Sequence, residues 1–146
     1  VFIPSINARL PAILGLFLTI GCSSCVVAEP VAIANSSVGL DAVSLNTARL
    51  VFSHQLAQWP NGTEVRVFVL PDNHNVHRTF AKHTLSLYPR QLRRVWDRQV
   101  YTGTGQAPET VANEQEMLYR IATTPGAVGY LSSEMIDETV HKLSVR

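Results

Sequence analysis

Glu64-Val65-Arg66-Val67-Phe68-Val69-Leu70 is dense in β-branched and aromatic side chains and has turn residues on both sides, Asn61-Gly62 before it and Pro71-Asp72-Asn73 after it. That composition suits a buried, pleated surface, so the stretch reads as a strand. Upstream, Trp59-Pro60-Asn61-Gly62 stops a helix expected over 45–58, because Pro ends a helix and Asn-Gly favours a tight turn. Ser44 supplies the N-cap, and Leu45, Ala48, Val51, Phe52 and Leu56 share one helical face. Before that lie a polar loop, Asn35-Ser36-Ser37-Val38-Gly39, and a short apolar strand, Val31-Ala32-Ile33-Ala34.

Downstream, the polar loop Pro71-Asp72-Asn73-His74-Asn75 leads into a helix over 76–85 with Val76, Phe80 and Ala81 facing inward. A second helix runs from Pro89, a favoured first-turn residue, to about Val100, with Leu92, Val95 and Trp96 as its apolar stripe. Thr102-Gly103-Thr104-Gly105 is a loop. A helix over 113–122 follows, then the breaker Thr123-Thr124-Pro125-Gly126, a strand Ala127-Val128-Gly129-Tyr130-Leu131, and a last strand over 140–145. Strands alternate with helices. The fold class is α/β: a single three-layer-like domain with a central mixed sheet flanked by helices.

The 146 residues suit one domain behind a leader. With 12 Lys+Arg against 11 Asp+Glu, the chain lacks the excess of positive charge that wrapping a nucleic acid needs. Arg9 is the only charge before Glu29, and an apolar run of about a dozen residues follows it, the length of a signal-peptide core and short of a membrane span. Val26-Val27-Ala28 has small residues where a signal peptidase wants them, so residues 1–28 read as a signal peptide, cleaved after Ala28 to release a periplasmic domain over 29–146. Lipidation at Cys22 is a second option and an uncleaved anchor a third. Membrane association is expected only through that leader or lipid. Cys22 and Cys25 form a CxxC pair, but no second pair completes a zinc cluster and no strand precedes it.

The loop at 72–75 and the helix that follows hold the candidate binding residues. Asn75, His77, Arg78 and Thr79, with local N–H groups, are the set expected to hold a small anion. The competing expectation is that Asp72 or Asn75 caps the helix and the rest is solvated. His74, His77 and His83 with Asp72 match no metal-ligand spacing, and exposed helix positions account for them; no metal and no cofactor is expected. Arg90, Arg94 and Arg98 fall four apart on one face, either a solvated surface or a docking face for an acidic partner. Asn35-Ser36-Ser37 and Asn61-Gly62-Thr63 match the glycosylation sequon and read as turn chemistry. No P-loop and no nucleophile elbow is present. No catalytic residue is assigned, and an enzyme is not expected.

Several segments occur here in the order found in phosphate-type binding proteins: Phe52 to Trp59-Pro60-Asn61-Gly62, the strand at 65–69, the polar loop ending at Phe80, Trp96, Gly103-Thr104-Gly105, Asn113-Glu114-Gln115-Glu116 and Thr124-Pro125-Gly126-Ala127-Val128-Gly129-Tyr130. The chain resembles the phosphate ABC transporter substrate-binding family, within the type 2 periplasmic binding fold, as a single-lobe member. The resemblance implies a cleft-facing site for phosphate or a similar small oxyanion, completed by a second lobe from another copy or a separate chain. The family's Ser-Gly-Thr signature is replaced here by Val76, His77 and Arg78, so the glycine that lets backbone approach an anion is gone. The alternative is a non-enzymatic periplasmic scaffold for an envelope protein partner, with ligand binding lost.

Overall fold

The computed structural model describes residues 28–146. The expected leader, its Cys22 and Cys25, and the cleavage and lipidation signals before Ala28 lie outside the described residues.

The centre of the fold is β5 (Ala127–Ser132), buried from Ala127 to Leu131. It runs parallel to β3 (Arg66–Val69) and antiparallel to β1 (Pro30–Ala34). The short β4 (Glu109–Thr110) lies parallel beyond β3, and β6 (His141–Lys142) lies antiparallel beyond β1. The sheet order is therefore β4-β3-β5-β1-β6, a mixed sheet of five strands. Two further strands, β2 (Ala42–Val43) and β7 (Ser144–Val145), pair in parallel on their own.

Thr124-Pro125-Gly126-Ala127 fixes how β5 starts. Ala127 N–H donates to the Thr124 carbonyl at 3.2 Å, and Gly126 has φ +72. Pro followed by a positive-φ Gly is the chemistry of a type II turn. A Cβ at Gly126 would lie 2.0 Å from the Glu64 carbonyl oxygen. The absence of a side chain there lets the Gly126 carbonyl accept from Trp59 Nε1 at 2.9 Å and from Arg66 N–H at 3.1 Å.

Side chains alternate across a strand, and here the alternation sorts two helical layers. Gly129 faces α4 (Glu114–Thr123): a Cβ on it would lie 2.6 Å from both Ile121 Cδ1 and Met117 Sδ, so its absence lets the helix sit close to the sheet. Tyr130 faces the other layer, where its ring stacks on Phe80 at 4.3 Å, and Phe80 meets Phe52 edge-on at 4.9 Å. That layer holds α1 (Leu45–Phe52), α2 (Asn75–Thr79) with a π turn over Phe80–Thr84, and α3 (Pro89–Thr102). Ser44 caps α1 and Asn113 caps α4, each accepting an N–H three residues on. No helix among the described residues is long and apolar enough to cross a membrane.

Three expected elements differ from the sequence reading, and the short β2 and β4 were not expected at all. The helix expected over 45–58 stops at Phe52, because α3 takes its end carbonyls: Trp96 Nε1 donates to Phe52 O at 3.0 Å and Gln99 Nε2 to Ser53 O at 3.1 Å. The chain then reverses at His54, with φ +58. The helix over 76–85 is a short α-turn followed by the π turn, closed by Leu85 N–H on the Phe80 carbonyl at 3.2 Å. The widened turn buries Phe80, Ala81 and Leu85 together. The last strand divides: β6 pairs with β1, Leu143 is buried, and β7 crosses to β2. Both sequon asparagines serve local turns: Asn35 Oδ1 accepts Ser37 N–H at 2.9 Å and Asn61 Oδ1 accepts Thr63 N–H at 3.0 Å.

Candidate functional site

The chain leaves β3 at Leu70, whose N–H donates to the Tyr130 hydroxyl at 2.9 Å. It turns at 71–74, with His74 N–H on the Pro71 carbonyl at 2.8 Å. The N-cap of α2 is His74, whose Nδ1 accepts Val76 N–H at 3.2 Å; neither Asp72 nor Asn75 fills that place. Asp72 is instead engaged by α3: Arg93 Nε and Nη2 donate to its two carboxylate oxygens at 2.9 and 2.8 Å. This two-point fork ties the loop after β3 to α3. The hydrogen bond from Arg93 holds the Asp72 carboxyl below its usual range, and Asp72 raises Arg93 in return. Both groups are partly exposed, so solvent screens the pair and its effect on stability is small.

Behind this pair lies His77, which is 1 % exposed and not the solvated helix position expected from sequence. Its Nδ1 bonds the hydroxyl of Tyr130. The phenol has one proton and already accepts from Leu70, so it donates to Nδ1, and the neutral imidazole carries its proton on Nε2. Nε2 lies 3.8 Å from Asp72 Oδ1 and has no hydrogen-bond partner. Burial lowers the His77 pKa; Asp72 opposes that shift, while Arg93 and His74 add to it. Burial likewise pushes the Tyr130 phenol well above its usual range. The pair is a core element, and the Nε2 edge of His77 faces Asp72.

That surface is a groove of about 940 Å3 between the loop after β3, α2 and the first two turns of α3. Its wall includes Asp72, Arg78, Tyr88, Arg90, Arg93 and Arg94. Four arginines face one carboxylate, and Asp72 engages only Arg93 among them. Arg90 and Arg94 form no ion pair among the described residues. Arg93 also lies 5.1 Å from the Trp96 ring centroid. The N-terminal end of α3, the positive end of its dipole, belongs to the same wall.

Of the four residues expected to hold an anion, the groove takes in Arg78. Asn75 is exposed at the start of α2, and its side-chain oxygen accepts from Arg78 Nη2. His77 is buried behind Asp72, and Thr79 is partly buried and outside the groove wall. His83 is exposed on the π turn. Among the described residues, no three of His, Cys, Asp and Glu come together as a metal-holding group. Sequence reasoning missed that Arg90 and Arg94 join Arg78; Arg98, on their helical face, lies outside this wall. The signal was present in the four-residue connection between the π turn and Pro89, which forces α3 back beside α2. Tyr130 was also missed as the partner of His77.

No family model and no curated protein matches the sequence. Solved structures do. A phosphate ABC transporter substrate-binding protein with bound phosphate from Clostridium perfringens superposes with a TM-score of 0.65 at 12 % identity, over 80 % of this chain and 44 % of that one. PstS from Borrelia burgdorferi gives 0.56 at 10 %, over 81 % and 47 %. A Vibrio cholerae phosphate transport receptor gives 0.53 at 10 %, over 80 % and 46 %. The fold is that of one lobe of a substrate-binding protein. The chain spans less than half the length of these structures, and in this lobe the end of β3 carries the Asp72–Arg93 fork and the arginine groove.

Proposed function

We propose that this lobe is a non-enzymatic, exported solute-binding module that takes a phosphate-class oxyanion in the arginine groove. The observation that carries the reading is the convergence of Arg78 from α2 with Arg90, Arg93 and Arg94 from α3. Guanidinium forks match tetrahedral oxyanions in geometry and charge. The neighbours' descriptions as phosphate-binding transport components support the ligand class. Asn75 orients Arg78 through its side-chain oxygen, and Asp72 holds Arg93 against the helix. Thr79 and His77 are assigned to the support of α2 and not to ligand contact. The expected leader and the link to a transporter belong to the same proposal, as does a second lobe closing over the groove.

Isothermal titration with phosphate, with sulfate as the control anion, tests it. Phosphate is expected to bind, and Arg78→Ala and Arg94→Ala each to weaken it about five- to tenfold, the effect of losing one exposed charge-assisted contact. Neither change is expected to move the melting temperature, since both side chains are exposed. Absence of heat and of any thermal shift at millimolar phosphate would overturn the reading.

One observation favours a protein partner as a second reading. At the far end of α3, Val100 is exposed and Tyr101 is 92 % exposed, outside the groove wall. Exposed aromatic side chains are common in protein interfaces. Loss of phosphate binding together with self-association abolished by Tyr101→Ser would favour that reading.

A further inference from the structure

We infer that the groove reads more than an oxyanion: its ligand is a phosphate monoester carrying a planar heteroaromatic ring, and Tyr88 is the surface on which the ring lies. This rests on the arginine groove being the anion site.

The volume does not suit bare phosphate. About 940 Å3 is at the upper end of the range for pockets that take drug-sized ligands, about 300–1,000 Å3, and a tetrahedral oxyanion fills a small part of it. The wall is also divided in chemistry. Arg78, Arg90 and Arg94 supply cationic forks, whereas Tyr88 and Pro89 supply an apolar surface. Tyr88 sits at the N-cap of α3, and its backbone is fixed there because its N–H donates to Gln91 Oε1 at 2.7 Å and Pro89 follows at the first helical position.

Tyr88 caps nothing with its own side chain and is 64 % exposed, unlike Tyr130 in the core. An exposed aromatic face in the same wall as guanidinium groups matches a ligand with an anion at one end and a π-surface at the other. Stacking on the ring and cation–π contact with arginine act together on such a molecule. The phosphoryl oxygens take the forks, the ring covers Tyr88, and the polar edge of the base faces solvent.

The probe is adenosine 5′-monophosphate, compared with inorganic phosphate and adenosine by calorimetry on the full chain at constant ionic strength. The monophosphate is expected to bind about tenfold more tightly than phosphate, the effect of one stacked ring. In Tyr88→Ala that ratio falls to about twofold or less, while Tyr88→Phe, which keeps the ring, preserves it. Phosphate binding with a monophosphate no tighter overturns this inference and leaves the oxyanion reading standing. A preference that survives Tyr88→Ala also overturns it, because the ring is then read elsewhere. Failure of both anions to bind removes the oxyanion reading and this inference with it.

Discussion

At the N-terminal ends of β3 and β5 the chain is held by close backbone approach and by hydrogen bonds gathered on Gly126; at their C-terminal ends it is held by a few polar side chains beside an open groove. In the first region there is no spare room at Gly126: a Cβ would meet the Glu64 carbonyl oxygen at 2.0 Å, and the Gly126 carbonyl accepts two hydrogen bonds. The second keeps a buried Tyr130–His77 contact but leaves Arg78, Arg90 and Arg94 around an open groove. The lobe therefore divides its work. One end of the parallel strands sets the geometry, and the other presents charge that is not used up in holding the fold.

The sharpest way to break that division is Gly126→Ala. The added methyl both clashes with backbone and forces a positive φ on a residue that resists it. A loss of about 3 kcal/mol or more is expected, read as a shift in the denaturant midpoint. Gly62→Ala is the control: φ is +85 there but a Cβ would meet nothing within 4 Å, so only the strain of the dihedral, about 1 kcal/mol, remains. Equal losses at both sites would mean that the close approach at Gly126 is not what holds β5.

How much of each region could be read from sequence follows the same line. Thr124-Pro125-Gly126-Ala127 encodes its own turn, because Pro at the second position and Gly at the third act locally. The strand at 127–131 was legible after that breaker, and the α/β class follows from the order of elements, but which faces take α4 and Phe80 needs the fold. The groove is different. Arg78 was legible as a candidate for the groove wall, but Arg90 and Arg94 read only as one helical face, solvated or open to an acidic partner. The stripe of Leu92 and Trp96 turns that face outward, but nothing local tells that it meets Asp72 and Arg78. His77 failed for the same reason. A histidine between Val76 and Arg78 on a short helix looks solvated until Tyr130, distant in sequence, supplies a buried donor for it. The helix after Ser44 was overrun because its stop is tertiary, made by Trp96 and Gln99 rather than by Pro60.

His77→Phe tests the inner part of the second region. It removes the acceptor of the Tyr130 phenol and leaves the buried hydroxyl proton without a partner, while Leu70 N–H still donates to the oxygen, at a cost of about 2 kcal/mol. It also changes the pH dependence. His77 has its pKa depressed below 6.5 by burial, so the unfolded chain takes up a proton there before the folded one does. Stability from this group is complete above about pH 6.5 and falls as the pH drops toward the folded value. The melting temperature of the wild type should therefore decline between pH 7 and 5 more steeply than that of His77→Phe. Parallel profiles would show that the ring takes up its proton equally in the folded and unfolded chains, contrary to a pKa lowered by burial.

The smallest expected effect separates holding from binding within one pair. Asp72 is the carboxylate in the arginine wall, and it holds Arg93 by two hydrogen bonds. Asp72→Asn keeps the shape and removes the charge. Both partners are partly exposed, so the loss of stability should be about 0.5 kcal/mol. Phosphate affinity should move the other way, up by about two- to fivefold, because Arg93 is released from its counter-charge and the groove loses its repulsive group. Added salt should shrink that gain, since exposed charges are screened over about 8 Å at 0.15 M. Opposite signs in the two readouts are what the division between the rigid and the charged end requires. If stability and affinity fall together, then Arg93 serves the groove only while Asp72 positions it, and the holding and binding groups at this end are the same residues.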